Sequence, residues 1–341
     1  SSFKPFAYIT AFQKGYLPES VLFDLPTEFS SYRDKCPLVN INFQTESDPL
    51  CFHPENYDKA FRGPVTLRNG LAQSLNIPSV KVLYLANLQD TIINARTFGI
   101  STLQDPNRYG LSLVLGGGEV TLLDMVGAYS VFAEEGLKRA QSFILEIRDS
   151  KGEALEKYTD RATQVIDPQY PRLLNDVLSD TEERAGLFHA SLGLTLFPDR
   201  EVALKTGTTN DYRDAWTIGY TPSLVVGVWA GNNNNKSMVK GTSISAAIPI
   251  WSNFMNKVLP LQPNEVFTKP EPSSPTKPIL SGTYVINNQI HDILYYINKT
   301  DPLGPAPAMP EIDSQFQNWE LPVQYWLTTQ NITSLFTPPT P

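Results

Sequence analysis

Apolar and aromatic side chains crowd positions 3 to 13 with few polar interruptions, the pattern of a helix buried on most of its faces. Pro5 fits such a helix only in its first turn, where the missing N–H is no loss. From 14 to 62 the periodicity fades: Pro, Asp, Ser and Asn recur without a repeat, and the stretch reads as irregular. Helical spacing returns at Leu67, Leu71 and Ser74, with Thr66 placed to cap the run and Pro78 to stop it. Further helices are expected from Ser79 to about Leu88 and from Asp90 to Phe98, the second closed by Gly99. Thr121-Leu122-Leu123-Asp124 has the form of a capping box, and Leu122, Met125, Val126 and Tyr129 make an apolar stripe that Gly136 ends. The Gly116-Gly117-Gly118 run before it lacks the spacing of a phosphate-binding loop and reads as a tight turn.

Strands are expected late, as short apolar runs at Val202-Ala203-Leu204, Ala215–Tyr220 and Leu224–Ala230. Thr221-Pro222-Ser223 separates the last two as a hairpin turn would. Ser243 to Leu259 returns to amphipathic helix. Six prolines from Pro260 to Pro278 then mark an extended linker. Beyond it, Gly282–Val285, Ile293–Ile297 and Pro322–Trp326 predict strands of a small β module, and Thr337–Pro341 a disordered tail. The expected division is therefore a main domain over 1–259, a linker over 260–278 and a β-rich extension over 279–341.

Composition narrows the function. The chain has 341 residues and 28 prolines, about 8% against roughly 5% in ordinary proteins. The linker and tail absorb much of that excess. A formal charge of −8, with no run of Lys or Arg longer than two, gives no electrostatic footprint for nucleic acid. No uncharged apolar stretch is long enough to span a bilayer. Cys36 and Cys51 are the only cysteines; a disulfide and two free thiols both fit them. Cys51 and His53 alone cannot make a four-ligand metal site. His53, His189 and His291 sit in no hydrolase motif, which argues against a Ser-His-Asp triad.

Three short motifs carry chemistry: Ser1-Ser2-Phe3-Lys4 (S-x-x-K), Ser74-Leu75-Asn76 (S-x-N) and Lys205-Thr206-Gly207 (K-T-G). Roughly one of each of the first two is expected by chance, but all three in this order form a signature of serine acyl-enzymes that handle β-lactams. On a helix, Ser1 and Lys4 share a face. A lysine with an ordinary pKa of about 10.4 is a poor base at neutral pH, but burial beside a second ammonium, Lys205, favours its neutral form. Ser74 is then free to relay a proton to the leaving amine, and Asn76 to orient Lys4 and the substrate amide. Lys205 to Thr208 suits an edge strand, where Gly207 lets substrate approach the backbone and the threonine hydroxyls hold a carboxylate.

The residues around these motifs widen the likeness. Ser-Ser-Phe-Lys-Pro-Phe (1–6), Leu-Ala-Gln-Ser-Leu-Asn-Ile-Pro (71–78), Leu-Gly-Gly-Gly-Glu-Val-Thr (115–121) and Lys-Thr-Gly-Thr-Thr-Asn-Asp-Tyr-Arg-Asp-Ala-Trp (205–216) resemble a class A penicillin-binding protein, as do residues 218–222 and 226–229. The resemblance extends from residue 1 to about 260. It implies an α+β fold of the β-lactamase/transpeptidase type, an antiparallel sheet flanked by helices. It also implies Ser1 as the acylated nucleophile, Lys4 as its base, and Ser74 and Asn76 as the second motif. Lys205, Thr206, Gly207 and Thr208 would take the D-Ala-D-Ala end of a peptidoglycan stem peptide, with the backbone N–H groups of Ser1 and Thr208 as oxyanion hole. The implied reaction is D,D-transpeptidation, blocked covalently by β-lactams, with neither metal nor organic cofactor, outside the cytoplasm and anchored to the cell membrane.

Members of the family carry a helix and two strands, a glycosyltransferase domain and a membrane anchor before the S-x-x-K helix. Their absence ahead of Ser1 implies a truncated piece of a longer reading frame, with a three-stranded sheet and an open edge, and leaves open whether the piece is active as given. Rival readings differ in what they leave unexplained. A class A β-lactamase needs a glutamate in an E-x-x-L-N segment, and at Leu174-Asn175 that place holds Pro171. An N-terminal-nucleophile hydrolase accounts for Ser1 but not for Lys205–Thr208. A D,D-carboxypeptidase, and a non-catalytic cell-wall interaction module, remain open.

Overall fold

The computed structural model describes residues 1–30, 35–36, 49–239, 241–330 and 332. Helix α1 (Lys4–Gln13) runs through the middle of the core, buried from Lys4 to Phe12, with Pro5 in its first turn as expected. Phe6 meets Phe98, Tyr129 and Phe132 at ring distances of 5.3–6.3 Å. Unlike the irregular reading of 14–62, strands β1 (Val21–Asp24) and β2 (Gly63–Thr66) pair antiparallel, Val21 opposite Thr66. All four residues of β1 are buried, so no polar alternation marks it.

Thr66 caps α2 (Leu67–Ala72) through its hydroxyl and the Asn69 side chain. Pro78 does not end a helix. It lies in the first turn of α3 (Asn76–Ala86), where proline is tolerated, so this helix starts three residues earlier than expected. Helix α4 (Leu88–Phe98) closes on Gly99, and α5 (Leu122–Ala133) follows the Thr121 cap. Short strands β3 (Leu137–Arg139), β4 (Glu146–Arg148), β5 (Ala154–Lys157) and β6 (Ala162–Gln164) form two small ladders, β3 with β6 and β4 with β5. Helices α6 (Gln169–Ser179) and α7 (Thr181–Phe188) come next.

The main sheet is antiparallel in the order β7 (Ala203–Thr208), β8 (Asp214–Thr221), β9 (Leu224–Gly231). The expected hairpin closes at Thr221 opposite Leu224. Helices cover both faces, and two glycines let them in close. A Cβ on Gly219 would strike Trp251 of α8 (Ile248–Val258), and one on Gly227 would strike Val126 of α5. This is the α+β, helix-flanked antiparallel sheet that the family resemblance implies. Among the described residues, no strand pairs with the outer edge of β7 or of β9.

Residues 279–329 do not form a β module. They hold the short helix α9 (Ile293–Tyr296), the long helix α10 (Phe316–Thr329) and two isolated bridges, Ile286 to Gln289 and Asn298 to Asp301. Phe316, Trp319, Val323 and Leu327 recur at helical spacing, and the strand expected over Pro322–Trp326 lies inside α10. This segment packs into the rest of the chain. Trp319 is fully buried against Phe29 and Tyr84. Lys81 of α3 and Asp292 form a wholly buried ion pair at 2.8 Å. Asn318 Nδ2 donates to the carbonyls of Glu28 and Ser30, at 2.7 and 3.2 Å. Residues 262–277 have no regular structure, as expected, yet Phe267 is buried against Tyr220 and its N–H bonds Glu201. Cys36 and Cys51 are joined in a disulfide, with Cα atoms 5.5 Å apart. The tail expected at 337–341 lies outside the described residues. No helix of the described residues is long and apolar enough to cross a membrane.

Candidate active site

Ser1 and Lys4 bracket the first turn leading into α1, with the Lys4 N–H donating to the Ser1 carbonyl at 3.1 Å. That turn sets Lys4 inward. Its side chain is fully buried, and Nζ donates to three acceptors: the Ser74 carbonyl (2.6 Å), Asn76 Oδ1 (2.9 Å) and Ser74 Oγ (3.2 Å). Ser74 follows α2 with φ at +57°, a left-handed conformation that disfavours an L-residue by about 1–2 kcal/mol. Its carbonyl and hydroxyl both reach Lys4. Asn76 opens α3, just past that bend.

Lys205 reaches the same hydroxyl from β7, with Nζ donating to Ser74 Oγ at 2.7 Å and to the Thr206 carbonyl at 2.8 Å. Ser74 is thus bridged by two lysines from different elements. Burial, and then Lys205, hold the Lys4 amine well below the ordinary lysine value. Burial alone pushes Lys205 down to about 7. The three motifs, about 70 and 130 residues apart in the chain, meet within hydrogen-bond distance. Ser1 Oγ is not among the partners of Lys4 Nζ in this resting arrangement, whose donors all go to the second motif.

Strand β7 packs against the start of α1 at Gly207, and among the described residues its edge away from β8 pairs with no strand. Thr209 donates its N–H to Asp214 of β8, and the two-residue alternation of an antiparallel ladder turns the N–H of Thr208 and Thr206 away from β8. Thr208 Oγ1 accepts the Ser243 N–H at 3.0 Å, leaving its own proton to donate. The nitrogen of Ser1, the other expected oxyanion donor, lies 3.4 Å from the Leu115 carbonyl. Gly207 has a role that the sequence reading assigned to substrate alone. A Cβ there would collide with Ser2 Oγ and sit 3.0 Å from the Ser2 nitrogen, so glycine is what lets β7 close on α1.

Some residues at the site escaped the sequence reading. Tyr129 of α5 donates its hydroxyl to the Ser2 carbonyl at 2.7 Å and fixes the first turn from behind. Glu55 and Asn56, in the stretch read as irregular, grip Asn76: the Glu55 carbonyl accepts its Nδ2 at 2.7 Å and Asn56 Oδ1 its backbone N–H at 2.8 Å. Nothing local marks either one, since their function lies in contacts about 20 residues away.

The family model described as "Penicillin binding protein transpeptidase domain" matches residues 1–256. The chain belongs to the penicillin-binding protein transpeptidase family. Among named relatives, penicillin-binding protein 1A of Aquifex aeolicus is 37% identical over 218 residues, 64% of this chain and 29% of the relative. Penicillin-binding protein 1A of Neisseria lactamica is 31% identical over 277 residues, 80% of this chain and 32% of the relative. The chain therefore spans about a third of the length of these relatives. The crystal structure of penicillin-binding protein 1A from Haemophilus influenzae shares the fold, with a TM-score of 0.66, 24% identity, and coverage of 79% of this chain and 43% of that one. The PonA1 protein from Mycobacterium tuberculosis in complex with penicillin V superposes with a TM-score of 0.65 at 25% identity, over 80% of this chain and 72% of that one. Within this transpeptidase family the S-x-x-K, S-x-N and K-T-G motifs now have a geometry in this chain.

Proposed function

We propose that this chain is a serine D,D-transpeptidase that cross-links peptidoglycan stem peptides and is acylated by β-lactams. One observation supports this most: a buried Lys4 held by Ser74 and Asn76, with Lys205 on the same serine. In the reaction, neutral Lys4, whose two N–H bonds reach only two of the three acceptors, turns its lone pair to Ser1 Oγ and takes its proton as that oxygen attacks the carbonyl carbon of the D-Ala-D-Ala bond. The oxyanion that forms is met by the N–H groups of Ser1 and Thr208. Ser74, between the two lysines, passes a proton to the departing D-alanine nitrogen. An amine of a second stem peptide then attacks the ester, and Ser1 recovers its proton. Lys205, Thr206 and Thr208 hold the terminal carboxylate, Gly207 keeping them against α1. In a β-lactam the nitrogen stays tethered after ring opening and blocks the acceptor. The same reading puts the protein outside the cytoplasm, membrane-anchored, and the Cys36–Cys51 disulfide fits an oxidising compartment.

Two limbs are expected in the pH dependence of penicillin acylation of the free enzyme. The rate rises as Lys4 loses its proton, below the ordinary lysine range, and falls near pH 7 as Lys205 loses the charge that binds carboxylate. Lys205→Arg, charged at all working pH values, should lift the falling limb beyond pH 9 or remove it; a limb left in place would detach it from Lys205. Transpeptidation and carboxypeptidation differ only in the acceptor. Product analysis on a D-Ala-D-Ala peptide, with and without an added amine acceptor, separates them. Cross-linked product is expected with the amine, and hydrolysed peptide alone in both cases would assign a carboxypeptidase.

A further inference from the structure

Asn76 is the first residue of α3, and no side chain of the preceding turn caps that helix. Its backbone N–H is one of the orphan donors of a helix start, and the acceptor it finds comes from another part of the chain, Asn56 Oδ1 at 2.8 Å. The Asn76 side-chain amide is fixed just as firmly. Nδ2 donates to the neighbouring Glu55 carbonyl at 2.7 Å, which leaves Oδ1 turned to Lys4 Nζ at 2.9 Å. Two consecutive residues therefore decide both where Asn76 sits and which face of its amide meets the lysine.

Asn56 is itself anchored from behind. It is buried, and its Nδ2 bonds both oxygens of Asp24 at 2.8 and 2.9 Å and the Ala60 carbonyl at 2.8 Å. Asp24 is wholly buried on β1 and accepts in addition the Arg62 N–H at 3.1 Å. With an aspartate at position 24, only an amide serves at position 56. It must donate toward a carboxylate and a carbonyl on one side and accept from a helix N–H on the other. An aspartate would oppose Asp24, and an aliphatic residue would leave a buried carboxylate short of a donor.

We propose that Asn56, aligned by the Asp24 carboxylate, is a positioning residue for acylation: it locks Asn76, and through Asn76 the Lys4 amine, in the geometry that serves Ser1. The inference rests on the reading of Lys4 as the base for Ser1. The link runs from Asp24 through Asn56 and Asn76 to Lys4, with no contact between Asn56 and Ser1 or substrate. The charged groups that act on Lys4 are Lys205 of β7 and the terminal amine of Ser1, itself held below its ordinary value by burial and by the two lysines.

The test measures the rate constant and pH profile of acylation by a fluorescent penicillin in the wild-type chain, N56S, the exchanged pair D24N/N56D and S1A, with circular-dichroism melts on each. In N56S the maximal rate is expected to fall at least tenfold. The rising limb should move to lower pH by half a unit or more, because Asn76 Oδ1, which accepts from the Lys4 ammonium and favours it, is no longer held in place. A general loss of fold lowers the amount of labelled protein and leaves that limb where it was. The exchanged pair keeps an acceptor for the Asn76 N–H and an amide–carboxylate bond behind it, and should recover to within about fivefold of wild type. A folded N56S with the wild-type rate (within twofold) and limb overturns the positioning role while S1A remains unlabelled. Labelling that survives S1A overturns the reading of Ser1, and this inference with it. Should N56S not fold, the exchanged pair decides: a wild-type melt with a rate down a hundredfold or more overturns the proposal, and recovery supports it.

Discussion

Replacing Lys4 with alanine is expected to slow acylation by penicillin by about 10²–10⁴-fold, the usual contribution of a positioned general base. The effect is large because Lys4 sits where a lysine can act as a base. Its amine is buried, faces a second lysine, and is held below its ordinary pKa by both. Lys4→Arg separates this from packing. A guanidinium can still donate to the Ser74 carbonyl and Asn76 Oδ1, but it does not lose its proton at working pH. The arginine variant should therefore lose as much activity as alanine, within an order of magnitude. Stopped-flow acylation of both variants checks this, and a Lys4→Arg enzyme retaining a tenth or more of wild-type activity would assign the proton transfer elsewhere.

The second large effect is expected from the smallest change. Gly207→Ala adds one methyl group, which must displace Ser2: its hydroxyl stands in the way and its backbone nitrogen lies 3.0 Å from the new carbon. A flexible side-chain tip could yield, but the first turn of α1 cannot, pinned as it is by Tyr129 through the Ser2 carbonyl. Strand β7 must move outward instead, carrying Lys205 and Thr208 away from Ser1. A displacement of about 1 Å in a catalytic arrangement is enough for a loss on the order of 100-fold. The β7–β8 ladder runs in register from Ala203 opposite Tyr220 to Thr208 opposite Ala215 and does not depend on this contact, so the melting temperature should change little. Acylation kinetics and a thermal melt on the same sample test both halves. An enzyme at wild-type rate would show that the α1–β7 contact is slack.

Much of this arrangement was legible in the residues because its signals are local. Pro5 in a run of apolar positions marked the first turn of α1, Thr66 and Thr121 marked helix starts, and Thr221-Pro222-Ser223 marked the β8–β9 turn. The three motifs were visible as strings and were expected to share one site; that they meet at the Ser74 hydroxyl came from the structure. What was missed depends on tertiary context. The strand expected over Pro322–Trp326 is part of a helix, α10, whose stability comes from burying Trp319, Val323 and Leu327. Strand β1 is buried on both faces and too short for a pattern. Asn56 and Gly207 matter through partners distant in sequence, Asn76 and Ser2, and no spacing rule connects them.

The most direct measurement is the mass of the chain after incubation with penicillin, followed by peptide mapping of the adduct. The expected result is one added penicillin per chain, carried by the peptide that begins Ser1-Ser2-Phe3-Lys4 and absent in Ser1→Ala. No adduct at all, or one that persists in Ser1→Ala, would contradict the assignment of Ser1 as the acylated nucleophile.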